Sequence, residues 1–542
     1  MTLSYRPFME QVAKRLDALS SQQLRQLFLE WASNEHPNRR ASFLDQLSIL
    51  EPPTKPVNET AVLAEKVHAF CQAVENGDYC NGWGWDDAID DERELGDESW
   101  AGEMDTFLAD VRRLLIDGDS QTALSLYSAL LDALETGFDP GHLPGSPDPT
   151  EMLHENLQEH VNLYGRAVYL EALPAERPEK LLAAIHQHEY LKHHFSLKAM
   201  IDAATDPLPG FDAFLPGWIE HLLQHPSNRT GQDVREAVRL LGSEAIADFA
   251  SVQSDRVPGI YLDWLDSLKE ANEWEKAAKV AVQALEQLDL DLLIRVRVGD
   301  ELAAIGRKLK VGKLVLQGLK ASFESGPDLE SLVHLLVEAR RTSQFSIVHQ
   351  SVMERLAVLN KRSARLDFNL DEDLQRTSAS PDLLLQARLL SGDLDEALAD
   401  NALSQSAVYA FLAAVVFPQP LKPWVLENWR HELGRISSDL HQDYLSLLRE
   451  ALQENVPDQA QQERYLTAVR DKLLAAVNSI VVSQSRYAYD MAAKDLALLA
   501  QILTDLGRSD EAKALFQDAH SRYPRHSSFR AEVRKAEKMV VT

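Results

Sequence analysis

Residues 491–529 read MAAKDLALLAQILTDLGRSDEAKALFQDAHSRYPRHSSF. Leu496, Leu499, Ala500 and Leu503 recur at i, i+3, i+4 and i+7, which is one face of a helix. Leu506-Gly507-Arg508 breaks the pattern, and Ala512, Phe516 and Ala519 resume it before Pro524. The stretch therefore predicts two antiparallel helices joined by a tight turn. Its offsets are those of a tetratricopeptide hairpin: large residues on the first helix, a small alanine on the second that allows close approach, and a proline that ends the unit.

Looser copies lie upstream. Tyr261, Trp264, Leu265 and Leu268 precede Ala277, Ala281 and Ala284; Leu384 and Leu385 precede Gly392 and Ala397. Phe107, Val111 and Leu114 precede Ala123 and Tyr127, with Asp110 where the pattern wants an apolar residue. Ala123, Ala277, Ala397 and Ala512 are 154, 120 and 115 residues apart, not the period of about 34 of a regular array. The fold expected is all-α: an irregular α-α superhelix of tetratricopeptide-like hairpins, with degenerate pairs filling the gaps and a small helical N-terminal module. No stretch alternates as a strand should, so no sheet is expected.

The N-terminal module spans 1–50. One helix carries Phe8, Val12, Leu16 and Leu19. Ser20 and Gln23 have capping-box spacing before Leu24, Leu27, Phe28 and Trp31, and a third short helix falls near 39–50. Pro52, Pro53 and Pro56 mark a boundary. Region 59–136 holds helices, an acidic Trp/Gly loop and the first hairpin, 103–117 with 119–135. A middle region, 151–253, reads as five or six helices broken near 174–176, 205–217 and 225–231. A tetratricopeptide-like α-solenoid takes 259–542, and its run 407–417 is expected as a buried core helix.

The chain carries 84 acids against 55 bases, a net charge of −29, which repels phosphate backbones and anionic membranes. Two cysteines, Cys71 and Cys80, cannot make a disulfide framework or a four-thiolate zinc site, and the opening MTLSYRPFMEQVAKRL lacks a signal-peptide core. A cytoplasmic protein is expected.

The C-terminal stretch resembles the end of bacterial SWIM zinc-finger proteins, on Tyr487 and Tyr489 ahead of Ala492-Ala493, then Leu506-Gly507-Arg508, Tyr523-Pro524-Arg525 and Phe529. The opening RLDALSSQQLRQLFLEWA and the Gly/Asp/Trp loop are similar to segments of the same helical region. The finger itself needs C-x-C, which this chain lacks. The resemblance thus implies a helical-repeat interaction body and carries over neither zinc nor a nucleic-acid role.

Few residues point to chemistry. His186, Glu189 and His193 have i, i+3, i+7 spacing, so on one helix they would offer a two-histidine, one-carboxylate metal set; histidines on an exposed or packed helix face are the plainer reading. Gly306 to Lys313 has glycines in phosphate-loop style, but the spacing is too long and Leu314 replaces Ser/Thr. No catalytic motif and no cofactor is expected. Residues 61–110 hold fourteen acids and two bases around Trp83, Trp85 and Trp100. They read as an aromatic plug on the stack, as a partner-contact loop, or as a cation site on Asp86, Asp87, Asp90 and Asp91.

Two segments reverse the charge: 305–365, with eleven bases and five acids, and 512–542, with seven and three. Internal pairing explains such surpluses, and so does a strip that takes an acidic peptide, or a nucleic acid despite the overall charge. The second segment includes Arg522, Arg525, Arg530, Arg534, Lys535 and Lys538. The expected function is a non-enzymatic scaffold or regulatory subunit whose partner is another protein or peptide. The alternative is a metal-dependent or nucleic-acid-binding accessory protein. Nothing in the sequence fixes an oligomeric state.

Overall fold

A computed structural model describes residues 5–34, 59–86, 91–138, 141–146, 148–188, 192–361, 377, 379–399, 403–434 and 437–541. The expected helix near 39–50 lies outside them. The chain divides into two units, Met1–Val257 and Pro258–Thr542.

The first unit runs α1 (Tyr5–Asp17), α2 (Ser21–Asn34), α3 (Glu59–Asn76), β1 (Cys80–Asp86), β2 (Asp91–Gly96), α4 (Ser99–Ile116), α5 (Ser120–Phe138), α6 (Leu157–Glu171), α7 (Arg177–Gln187), α8 (Leu197–Asp202), α9 (Phe211–Gln224), α10 (Thr230–Leu241) and α11 (Ser243–Gln253). The capping box at α2 forms: Ser20 N donates to Gln23 Oε1 at 2.8 Å, and Gln23 N donates to Ser20 Oγ at 3.3 Å. The expected break across 205–217 is shorter than the sequence suggests. Helix α9 starts after Gly210, at φ +69°, and runs through Pro216 because Phe214, Leu215 and Trp218 anchor it in the core.

The second unit runs α12 (Ile260–Glu270), α13 (Trp274–Gln287), α14 (Ile294–Leu309), α15 (Gly312–Ser325), α16 (Leu329–Arg341), α17 (Phe345–Leu359), α18 (Pro381–Ser391), α19 (Leu394–Ala399), α20 (Gln405–Val416), α21 (Pro423–Glu432), α22 (Ser438–Glu454), α23 (Gln459–Val482), α24 (Tyr489–Asp505), α25 (Ser509–Arg522) and α26 (Ser527–Val541). One apolar core runs through it from Ala303 to Ala536. Helix α20 is the buried core helix expected at 407–417.

The fold class is all-α, built from sequential helix pairs joined by short turns. The small second-helix residue of each expected hairpin is buried: Ala123 and Ala277 are 0% exposed, Ala397 2% and Ala512 4%. Their contact with the preceding helix is what the pattern requires. The sheet-free expectation is corrected by one antiparallel hairpin, with Trp83 opposite Glu94 and Trp85 opposite Glu92. Its first strand, Cys-Asn-Gly-Trp-Gly-Trp-Asp, puts glycine where strands usually carry β-branched residues, so the usual signal is missing.

Candidate partner-binding surface

The C-terminal unit is positioned by its turn. Gly507 sits at φ +76°, where only glycine is unstrained. Its N–H donates to Thr504 O at 2.9 Å, and Arg508 N donates to Leu503 O at 2.8 Å, so the end of α24 is closed. Helix α25 then folds back, burying Ala512, Leu515, Phe516 and Ala519. Pro524 follows Tyr523, whose hydroxyl donates to Asn478 Oδ1 at 2.9 Å. Helix α26 returns onto α24 and buries Phe529, Val533 and Ala536, at i, i+4 and i+7.

That packing leaves Arg530, Arg534 and Lys538 recurring at i, i+4 and i+8 on another strip of α26. Arg522 is exposed at the end of α25, with its guanidinium 5.8 Å from the Tyr523 ring centroid. Arg525 and Arg534 are exposed, and neither meets a carboxylate or a hydrogen-bond acceptor among the described residues. Arg530 is half-buried; one Nη donates to Pro524 O at 3.4 Å, while its buried Nε has no acceptor. Lys535 pairs with Glu532 at 2.8 Å.

Part of the basic surplus at 305–365 behaves differently. Arg340 bridges to Glu454 and to Glu450 (3.4 Å), with its guanidinium 3.9 Å from the Phe345 ring centroid. Arg355 reaches Asp291 at 2.8 Å, Arg341 Nε donates to Glu338 at 2.8 Å, and Lys308 lies over Trp274. These cations are engaged within the unit. Gly306 serves packing: it lies in α14 where that helix meets α15, and an added Cβ would come within 2.7 Å of Val315 N.

The three tryptophans of the acidic segment separate. Trp100, in the first turn of α4, is the plug: it is fully buried, and its indole N–H donates to Pro144 O at 2.8 Å. Trp85 is not a plug, since it is 56% exposed on the hairpin. The side chains of Trp83, Asp86, Asp87, Asp90 and Asp91 lie outside the described residues.

The single-helix premise for the histidine set is corrected. Helix α7 ends at Gln187, and a short 3-10 turn holds Lys192–His194, so His186 and His193 do not share a helical face. Glu189 lies outside the described residues. His188 turns inward, with Nδ1 3.4 Å from Glu135 and its ring edge-on to Tyr164. His186 lines a groove with His221, His225 and Glu179, a grouping that sequence spacing does not show. Among the described residues no three His, Cys, Asp or Glu side chains are placed to hold a metal ion.

The nearest acid–base constellation is Tyr127–His160–Glu155, with His160 Nδ1 3.2 Å from the hydroxyl and Nε2 3.0 Å from the carboxylate. The His160 hydrogen bond holds the Glu155 carboxyl below its usual range. The histidine is 0% exposed, so the chain of contacts ties α5 to α6 rather than facing a substrate. Cys71 is also buried: burial pushes its thiol up to about 12, which makes it a poor nucleophile.

No helix among the described residues is long and apolar enough to cross a membrane. No known family model matches the chain, and no curated protein matches it. A search of solved structures returns a circular tandem repeat protein with novel repeat topology and enhanced subunit contact surfaces. It is 13% identical, over 89% of this chain and 96% of that one, at a TM-score of 0.14. At that score the correspondence bears on neither fold nor function.

Proposed function

We propose that this chain is a non-enzymatic helical-repeat scaffold or regulatory subunit of the bacterial cytoplasm, and that it holds another protein on the α25–α26 surface. One observation carries the reading. Arg522, Arg525 and Arg534 stand exposed without a carboxylate partner among the described residues of a chain of net charge −29, while Arg340, Arg341 and Arg355 of the 305–365 segment are paired with carboxylates. Cations left uncompensated in an acidic field attract an acidic segment and raise its encounter rate. The same field disfavours a nucleic-acid duplex, whose binding needs many phosphate contacts. The resemblance to the helical body of SWIM zinc-finger proteins, without their finger, fits an interaction role.

Lysine-directed crosslinking of complexes captured from the native host tests this. Crosslinks from Lys513, Lys535 and Lys538 to one stoichiometric protein support it. A capture without a stoichiometric partner, or crosslinks confined to the first unit, contradicts it.

A further inference from the structure

A second binding feature lies elsewhere in the same unit. The end of α20, the turn at 417–422, α21 and α22 enclose a cleft of about 340 Å³. Its walls are apolar: Phe417, Leu426 and Leu445 are half-buried, and fully buried Trp429 forms the floor. Pro418 and Pro420 restrict the backbone of the rim.

One charged side chain on the cleft has no partner among the described residues. Arg449, exposed on α22, meets no carboxylate or acceptor among the described residues, because the neighbouring Glu450 and Glu454 are taken by Arg340. Gln442 and Ser446 stand at i−7 and i−3 from Arg449, on the same face of α22, and line the cleft with it.

We infer that this cleft takes a bulky apolar side chain with a carboxylate beside it, presented by a peptide segment of a protein partner. The apolar walls hold the side chain, and Arg449 supplies the opposite charge. The volume suits one large residue and its backbone rather than an extended cofactor. This rests on the protein-binding reading above, but on different residues.

The test titrates the full chain with N-acetyl-phenylalanine and with N-acetyl-phenylalaninamide, read by calorimetry or NMR. The acid is expected to bind with a Kd of about 1 mM and to be preferred over the amide about fivefold. Arg449→Gln should abolish that preference and leave amide binding unchanged. Ser446→Trp, at an exposed position on the rim, should block both probes without disturbing the core. Failure of both probes to bind, or equal binding of acid and amide to the unaltered chain, overturns the inference. Decanoate binding more than about tenfold tighter than N-acetyl-phenylalanine would assign the cleft to free fatty carboxylates and overturn it too. If the cleft fails while partner capture persists, the scaffold reading stands. If the probes bind and no partner is captured, that reading falls instead.

Discussion

Gly299 and Gly318 hold α14 and α15 in backbone contact: a Cβ on Gly318 would lie 2.4 Å from the carbonyl oxygen of Gly299, and a Cβ on Gly299 would lie 2.7 Å from that of Gly318. In an open helix, alanine is favoured over glycine by about 1 kcal/mol. Here the added methyl meets backbone that cannot swing aside, and overpacking costs about 1–3 kcal/mol. Gly318→Ala should therefore destabilise the second unit, by roughly 1–2 kcal/mol net. Gly102→Ala on α4 has open space around it and should stabilise by about 0.5–1 kcal/mol. Urea denaturation of both variants checks this. A gain in both would show that the helices separate at no cost.

The tryptophans of the acidic segment should differ as sharply. Trp100→Ala removes a fully buried ring and its hydrogen bond to Pro144, and should cost about 3–5 kcal/mol. Trp85→Ala changes an exposed side chain and should stay within about 0.5 kcal/mol. Thermal unfolding of the two variants distinguishes them. Equal losses would mean that burial of Trp100 contributes no more than the exposed Trp85.

Much of the fold was legible because helix packing leaves a local record. The alanines at 123, 277, 397 and 512 are small for the reason the pattern demands, and all four are buried. What escaped depends on distant residues. Nothing in Ala183–His194 marks the end of α7 at Gln187; His188 turning toward Asp132 and Glu135, more than fifty residues away, accompanies it. Part of the surplus at 305–365 is taken up where Arg340 meets Glu454, 114 residues on, which no local pattern shows. Arg525 and Arg534 meet no such distant partner among the described residues, so their local charge carries through to the surface. The cleft beside Trp429 is assembled from three helices and a turn, and no motif announces it.

One acid in the C-terminal unit makes stability depend on pH. Burial, with repulsion from Glu432, pushes the Asp495 carboxyl up to about 7, against the lowering effect of its hydrogen bond from Gln405 at 3.2 Å. Between the ordinary carboxylate range and about 7, the folded chain holds a proton that the unfolded chain releases. Stability therefore falls as pH rises through that window. Asp495→Asn should be more stable than the parent above pH 7, by roughly 1–4 kcal/mol, and the difference should vanish below about pH 4. Denaturation midpoints across this range give the answer. A constant difference at every pH would place the effect in packing instead.

The central claim is that the exposed arginines of α25 and α26 engage a partner. The most direct measurement is quantitative capture from native-host lysate with the unaltered chain and with Arg522→Glu/Arg525→Glu/Arg534→Glu. All three positions are exposed, so the variant should fold as the parent does. The account predicts one stoichiometric protein whose recovery falls at least about tenfold in the variant, as expected if each reversal costs roughly 0.5–1 kcal/mol, and also falls as salt is raised. Undiminished recovery of the same protein by the triple variant would contradict it.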